Sequence, residues 1–150
     1  MRGQFQGNQV VLEKALPFLL HACYQQLRSV TYKEFLGQGL ELTPEQWVVL
    51  VRLWEKDGQS QSALSQSTLR DRPTMSRILD TMEKSGLVER CVDPDDARSR
   101  LVRLTRTGKS LQPKLVPIAK KIVTRLEAGI PERDLELTHR TLARMLQNLL

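Results

Sequence analysis

Five polar side chains in one short stretch define the chemistry this chain offers: Arg72, Thr74, Ser76, Arg77 and Lys84. They are hydrogen-bonding and cationic groups, and none is a nucleophile beside a base. An arginine fork can bond two acceptors on a guanine edge at once, and hydroxyls can meet bases or phosphates. Arg72 and Lys84 suit phosphate oxygens. Downstream, Arg98 and Arg100 follow a run rich in Asp and Pro, with Asp96 two positions before Arg98. A narrow, electronegative minor groove attracts a guanidinium. The chemistry indicated is recognition of a polyanion. His21 and His139 have no companions at metal-ligand spacing, and no Gly-rich phosphate loop or nucleophile–base set occurs. Neither metal, cofactor nor catalytic activity is expected.

These residues need elements to hold them. Met75, Ile78, Leu79 and Met82 recur at i, i+3, i+4 and i+7, which predicts a helix with one apolar stripe. Asp71 can cap its start, Pro73 is tolerated in the first turn, and Gly86 stands where a left-handed stop belongs. The stripe turns Thr74, Ser76, Arg77, Asp80, Thr81 and Lys84 outward. Leu87–Val92 and Arg100–Leu104 are short extended runs flanking the Asp/Pro segment, a hairpin with an irregular tip. A short helix over Ser60 to Thr68, with Ala63, Leu64 and Leu69 inward, precedes them. Helix, helix and hairpin make the plan of a winged helix-turn-helix, which sends its second helix into the major groove.

Three segments carry a further likeness: Gly86-Leu-Val-Glu-Arg90, Asp93-Pro-Asp-Asp-Ala-Arg98 and Leu104-Thr-Arg-Thr-Gly108. In order and spacing they resemble the signature of the MarR family of bacterial transcription regulators, and the flanking chain agrees in length and helix pattern. The resemblance implies a wing-tip arginine at Arg98 in the pattern Asp-x-Arg, with Asp96 orienting it rather than touching DNA. Many relatives have a basic residue where this chain has Ala97. The resemblance also implies dimerisation through terminal helices and a pocket for small aromatic acids between two lobes. A peroxide-sensing branch carries a reactive cysteine in a Leu-Cys-Phe-like stretch, and the best match here, Leu16-Pro17-Phe18, has proline at that place.

Residues 1–9 are polar and are expected to fray. A helical pattern runs from Val10 to about Gly37, with Pro17 expected to kink or divide it. Thr43-Pro44-Glu45-Gln46 opens a second helix with a capping box. Thr105 should cap a long helix to about Ala128, bent by Pro113 and Pro117, and a last helix is expected from about Glu132 to Leu150. The fold expected is mainly α with a small β-hairpin wing: a winged helix-turn-helix lobe over residues 43–106, with residues 8–37 and 107–150 forming dimerisation helices. Both terminal helices carry apolar stripes remote from the lobe, and a symmetric partner would bury them.

The 150 residues carry a formal net charge of +6. From Ala97 to Leu126 there is no Asp or Glu, while nine Lys and Arg occur, the footprint of a polyanion partner. Aromatics are sparse at 5%, so the core must come from Leu, Val and Ile. No apolar run approaches the roughly 18 residues that span a bilayer. No signal segment is evident, and Cys23 and Cys91 are far apart, so a cytoplasmic chain with free thiols is expected, Cys23 buried on the apolar stripe. His21, Tyr24, Arg28, Trp47 and Trp54 are candidates for an effector pocket, where an arginine beside aromatics suits a carboxylate. The expected function is a sequence-specific regulator of double-stranded DNA, a homodimeric repressor on a pseudo-palindromic operator relieved by a small aromatic acid, with no membrane partner. The rivals are a protein-interaction module that kept the fold, and an enzyme acting on a small aromatic acid.

Overall fold

A computed structural model describes residues 5–6, 9–94, 96 and 100–150. The expectation that residues 1–9 fray is replaced, at its described positions, by a short antiparallel pair: β1 (Phe5–Gln6) and β2 (Gln9–Val10) satisfy each other's backbone groups. A 3₁₀ turn, Leu12–Lys14, leads into α1 (Leu16–Leu36). Pro17 does not kink this helix. It lies in the first turn, where it has no intrahelical bond to lose.

Next come α2 (Pro44–Glu55), β3 (Gln59–Ser60), α3 (Gln61–Ser67), α4 (Arg72–Lys84), β4 (Val88–Val92) and β5 (Arg100–Leu104). Thr43 caps α2 through the full capping box, its hydroxyl accepting from Gln46 N and Gln46 Oε1 accepting from Thr43 N. The hairpin β4–β5 is extended by β3, giving an antiparallel sheet in the order β3-β5-β4. At two residues, β3 is too short to leave a periodic signal in sequence. The predicted single helix after Thr105 is two: α5 (Arg106–Ser110) and α6 (Gln112–Glu127), meeting at Leu111. Pro113 has no N–H for the Lys109 carbonyl, so the chain breaks there, while Pro117 is carried inside α6. The last helix is α7 (Glu132–Gln147). No helix among the described residues is long and apolar enough to cross a membrane.

One core gathers α2, α3, α4 and the sheet. Leu50, Leu53, Leu64, Met75, Leu79 and Met82 are fully buried in it. It also takes in Phe35 and Leu42 from before residue 43, and Leu111 and Leu115 from after residue 106. Aromatic contacts continue it outward: Phe35 and Trp47 meet tilted, and Trp47 and Trp54 edge to face, each pair with centroids 5.6 Å apart. Trp54 also donates to the Gly108 carbonyl (3.1 Å). A Cβ on Gly108 would stand 2.2 Å from the Leu87 carbonyl oxygen, so only glycine lets α5 approach the start of β4 this closely. Thr105 completes the corner, its hydroxyl donating to the Gly86 carbonyl (2.6 Å) and accepting from Gly108 N. The Leu104-Thr-Arg-Thr-Gly108 segment is thus a packing device.

Asp57 ties the sheet to the helices. Its Oδ1 accepts from Leu104 N (2.8 Å) and Gly58 N (3.0 Å), and its Oδ2 lies 3.2 Å from Lys109 Nζ. Burial pushes this carboxyl up, but the Leu104 N–H, Lys109 and the Gly58 N–H outweigh burial and hold it below the usual Asp value. Asp57→Ala should lower unfolding free energy by about 1–2 kcal/mol, the low end for charged hydrogen bonds because solvent screens part of the group. The folded state binds fewer protons here than the unfolded chain. The contribution is therefore complete above pH ~4 and fades as pH falls through the lower folded value. Denaturant titrations of parent and variant at several pH values should show a shallower acid decline in the variant. Identical acid slopes would remove Asp57 from this role.

Candidate nucleic-acid interface

The inner face of α4 is Met75, Leu79 and Met82, with Ile78 at its edge, as its period predicts. Its start is held by Asp71, whose carboxylate accepts from Thr74 N (2.7 Å) and from the Thr74 hydroxyl (2.9 Å). Those two bonds, the backbone one first, lower the Asp71 pKa. The Thr74 hydroxyl proton is therefore engaged, and what it offers outward is a lone pair, 3.5 Å from Arg77 Nη2. Arg72, Arg77 and Lys84 are exposed, and Ser76 is half-buried on the side of the wing.

Two positions expected on the open face are exposed there and also have structural work. Thr81 donates to the Ile78 carbonyl (2.7 Å) and accepts from Gln46 Nε2 (3.2 Å), linking α4 to the first turn of α2. Asp80 is taken by Arg90, the residue that site reasoning from sequence missed. From β4, Arg90 reaches Asp80 Oδ1 and Glu83 Oε2, each at 2.7 Å, and its Nη2 lies 3.5 Å from the Ser76 carbonyl. Its backbone N–H also donates to Glu83 (3.1 Å). Burial works against the Arg90 charge, yet Asp80 and Glu83 more than offset it and raise its pKa. Arg90 thus clamps the wing stem onto α4 and sets the angle between them. Its place in Gly86-Leu-Val-Glu-Arg90 was the available signal.

Arg100 is exposed at the start of β5, paired across the hairpin with Val92. Asp96 is exposed and its N–H donates to the Asp93 carbonyl (3.3 Å). Arg98 lies outside the described residues. The basic run is divided by the fold: Arg100, Arg103, Arg106 and Lys109 belong to the wing and its corner, while Lys114 to Arg125 lie along α6, which packs against α1.

The expected pocket residues separate. Tyr24, Arg28 and Trp47 line one apolar cleft of about 240 Å³ between α1, α2 and α6, joined by Arg70, which the sequence reading did not single out. Trp54 lines a different cleft, between α2 and α6, because its indole N–H is committed to Gly108. His21 is exposed on α1 and lines neither. Arg28 is paired with Glu45 (2.9 Å). Burial pushes the Glu45 carboxyl up, but Arg28 and the more distant Arg70 hold it below its usual value. Cys23 is exposed rather than buried. Cys91 is half-buried in the wing stem, its thiol 3.6 Å from the Leu101 carbonyl. No cluster of metal-ligating side chains occurs among the described residues.

The sequence model of the MarR family matches residues 42–99, which hold α2, α3, α4 and β4. The organic hydroperoxide resistance transcriptional regulator of Bacillus subtilis is 33% identical over 112 residues, 75% of each chain. A probable transcriptional regulator from Pseudomonas aeruginosa has a crystal structure that superposes with a TM-score of 0.82 at 30% identity, over 89% of this chain and 98% of that one. CouR from Rhodococcus jostii RHA1, solved with p-coumaroyl-CoA, superposes at 0.77 with 25% identity, over 90% and 94% of the chains. The repressor CouR is also solved on a 23-mer DNA duplex, with a TM-score of 0.80, 24% identity and coverage of 90% and 94%. With its helix-turn-helix, its clamped wing and these relatives in agreement, the chain belongs to the MarR family of transcription regulators.

Proposed function

We propose that the protein is a sequence-specific repressor that binds double-stranded DNA as a homodimer and is released by a small organic anion. One observation carries the reading. The polar outer face of α4 stands open beside a wing that Arg90 fastens to it, so a groove-entering helix and a backbone-tracking hairpin form one rigid unit. Thr74, Ser76 and Arg77 are the base-edge contacts in this reading, Arg72, Lys84 and Arg100 hold phosphates, and Arg98 enters the minor groove with Asp96 as its support. CouR, of the same fold, binds a DNA duplex in its structure. The cleft supports the effector. Two guanidiniums, Arg28 and Arg70, against one carboxylate, Glu45, leave one positive charge among apolar walls. A compact acid with an apolar body complements it.

The dimer rests on uncovered apolar surface. α7 buries none of its residues, and Leu137, Leu142 and Leu146 are exposed along it, as are Leu19 and Leu20 on α1 and Val123 and Leu126 on α6. Full burial of a leucine from full exposure is worth about 1.5–3 kcal/mol, and since these are already about half covered each stands to gain roughly half of that, a burial that a two-fold partner supplies. The parent should sediment as a dimer at micromolar concentration. The double substitution Leu142→Glu with Leu146→Glu should give monomers. A stable folded monomer of the parent would overturn the dimeric reading.

Arg98→Ala should leave thermal stability in place while weakening operator binding by on the order of 1–3 kcal/mol per half-site. Unchanged affinity would take Arg98 out of the interface.

A dimer neutralising about 6–10 phosphates should lose roughly a thousandfold in affinity between about 50 and 200 mM salt. Its two α4 helices must meet successive major grooves about 34 Å apart, so half-site centres should lie about 10 base pairs apart. Adding ~5 base pairs to the spacer puts one half-site on the opposite side of the duplex. Footprinting of spacer variants at two salt concentrations tests both. Indifference to spacer length would sink the dimeric reader, and indifference to salt would sink the phosphate contacts. A protein-interaction module predicts neither dependence.

A further inference from the structure

The first turn of α4 fixes where its polar groups stand and also which way their protons point. Thr74 donates its backbone N–H to Asp71 Oδ1 (2.7 Å), and its Oγ1 lies 2.9 Å from Asp71 Oδ2. These two bonds lower the Asp71 pKa, so at neutral pH the carboxylate is ionised and can only accept. The one proton available to the contact between Oγ1 and Oδ2 is that of the hydroxyl. Thr74 therefore spends its single side-chain donor on Asp71 and keeps only lone pairs for any other partner.

Arg77 completes the arrangement. It stands one turn further along α4 on the same side, with Nη2 3.5 Å from Thr74 Oγ1. The Asp71 charge attracts it as well. A guanidinium is a donor only, and four of its five N–H groups are left for other acceptors. The three residues form a chain with one direction: Arg77 donates to Thr74, and Thr74 donates to Asp71. Two adjacent groups on the face of α4 are thus held in opposite polarity, Thr74 as acceptor and Arg77 as donor.

We infer that Asp71 sets base specificity at one position of each half-site, by locking Thr74 as an acceptor for the exocyclic amino group of adenine or cytosine. This rests on the reading of α4 as the groove-entering helix. In the major groove adenine N6 and cytosine N4 are donors, whereas guanine and thymine present the acceptors O6 and O4. A lone pair on Thr74 bonds the first two bases and repels the second two. Arg77 takes the opposite set, guanine O6 and N7 above all. The half-site should therefore carry adenine or cytosine where Thr74 reads and guanine where Arg77 reads. Asp71 is a positioning residue here and acts through Thr74.

Asp71→Asn separates this role from helix capping. Asn caps a helix about as well as Asp, so the variant should melt close to the parent. The Thr74 backbone N–H, a donor, compels the new amide oxygen to face it. The amide NH₂ then points at Thr74 Oγ1, occupies a lone pair and frees the hydroxyl proton. Thr74 becomes a donor, and the preferred base should change to guanine or thymine at that position alone. The comparison is between duplexes selected from random sequence by the parent, Asp71→Asn, Thr74→Val and Thr74→Ser. Thr74→Val keeps the shape without the hydroxyl and should lose base preference at one position per half-site, which identifies the position Thr74 reads. Thr74→Ser keeps the hydroxyl and should keep the preference. Replacing adenine there by unsubstituted purine, or cytosine by 2-pyrimidinone, removes only the amino group. That change should cost the parent about tenfold in affinity and should cost Thr74→Val nothing. An amino-group preference retained in Asp71→Asn, or lost without guanine or thymine in its place, overturns the inference for Asp71. Parent-like preference at every position in Thr74→Val overturns Thr74 as the reader while the DNA-binding reading stands. If the parent selects no common sequence, the reading of α4 fails and takes the inference with it.

Discussion

Every polar group that α4 presents outward is held in place by the burial of the opposite face. Met75, Leu79 and Met82 are fully buried among Leu50, Leu53 and Leu64. Truncating any one to alanine would cost about 2–5 kcal/mol, a large part of the ~5–15 kcal/mol that holds a typical domain together. A helix anchored so firmly cannot roll, so its outer face is presented at one angle. In the proposed complex that rigidity is what a group meeting base edges requires, since placement errors of an ångström remove a hydrogen bond.

Polar ties extend this rigidity to the elements that the apolar core does not reach. Arg90 spans from β4 to Asp80 and Glu83, and its side chain is 19% exposed, so solvent screens the cluster only in part. Removing it would leave two carboxylates three residues apart on one helix face with no cation between them. Asp57 does the corresponding work between β5 and α5. Gln46 is unusual in serving two elements. It closes the capping box of α2 and donates to Thr81 on α4. The first turn of α2 also holds Glu45, whose partner Arg28 belongs to α1. The cleft and α4 therefore share a boundary through α2 as well as through the α3–α4 turn.

The remaining surface has the opposite character. α1, α6 and α7 leave leucines and a valine open, and the exposed Cys23 belongs to that same uncovered side of the molecule. In the proposed dimer, burial of this surface sets the spacing of the two α4 helices. The cleft is bounded by α1, α2 and α6, and Tyr24 and Arg70 join α1 to the α3–α4 turn along its wall.

Local chemistry was legible in the sequence wherever a residue answers to its neighbours within one turn. The apolar period of α4, the caps at Thr43, Asp71 and Thr105, and the left-handed stop at Gly86 were all readable, because short-range sterics and backbone hydrogen bonding decide them. So was the family, through three motifs whose packing reasons lay hidden: Gly108 is required by a carbonyl from another element, and Arg90 by two carboxylates on another helix. Proline illustrates the limit. Whether Pro17 kinks a helix or starts one depended on where the helix began, and Pro113 broke a run that period alone made continuous. Only the tertiary structure decided that Asp80 and Thr81 serve the scaffold, that Trp54 turns to Gly108 and that His21 faces solvent. It alone brought Arg70 from the helix-turn-helix turn to Tyr24 on α1. Those contacts join residues far apart in the chain, and no periodicity or spacing encodes which long side chain will meet which partner once the core has closed.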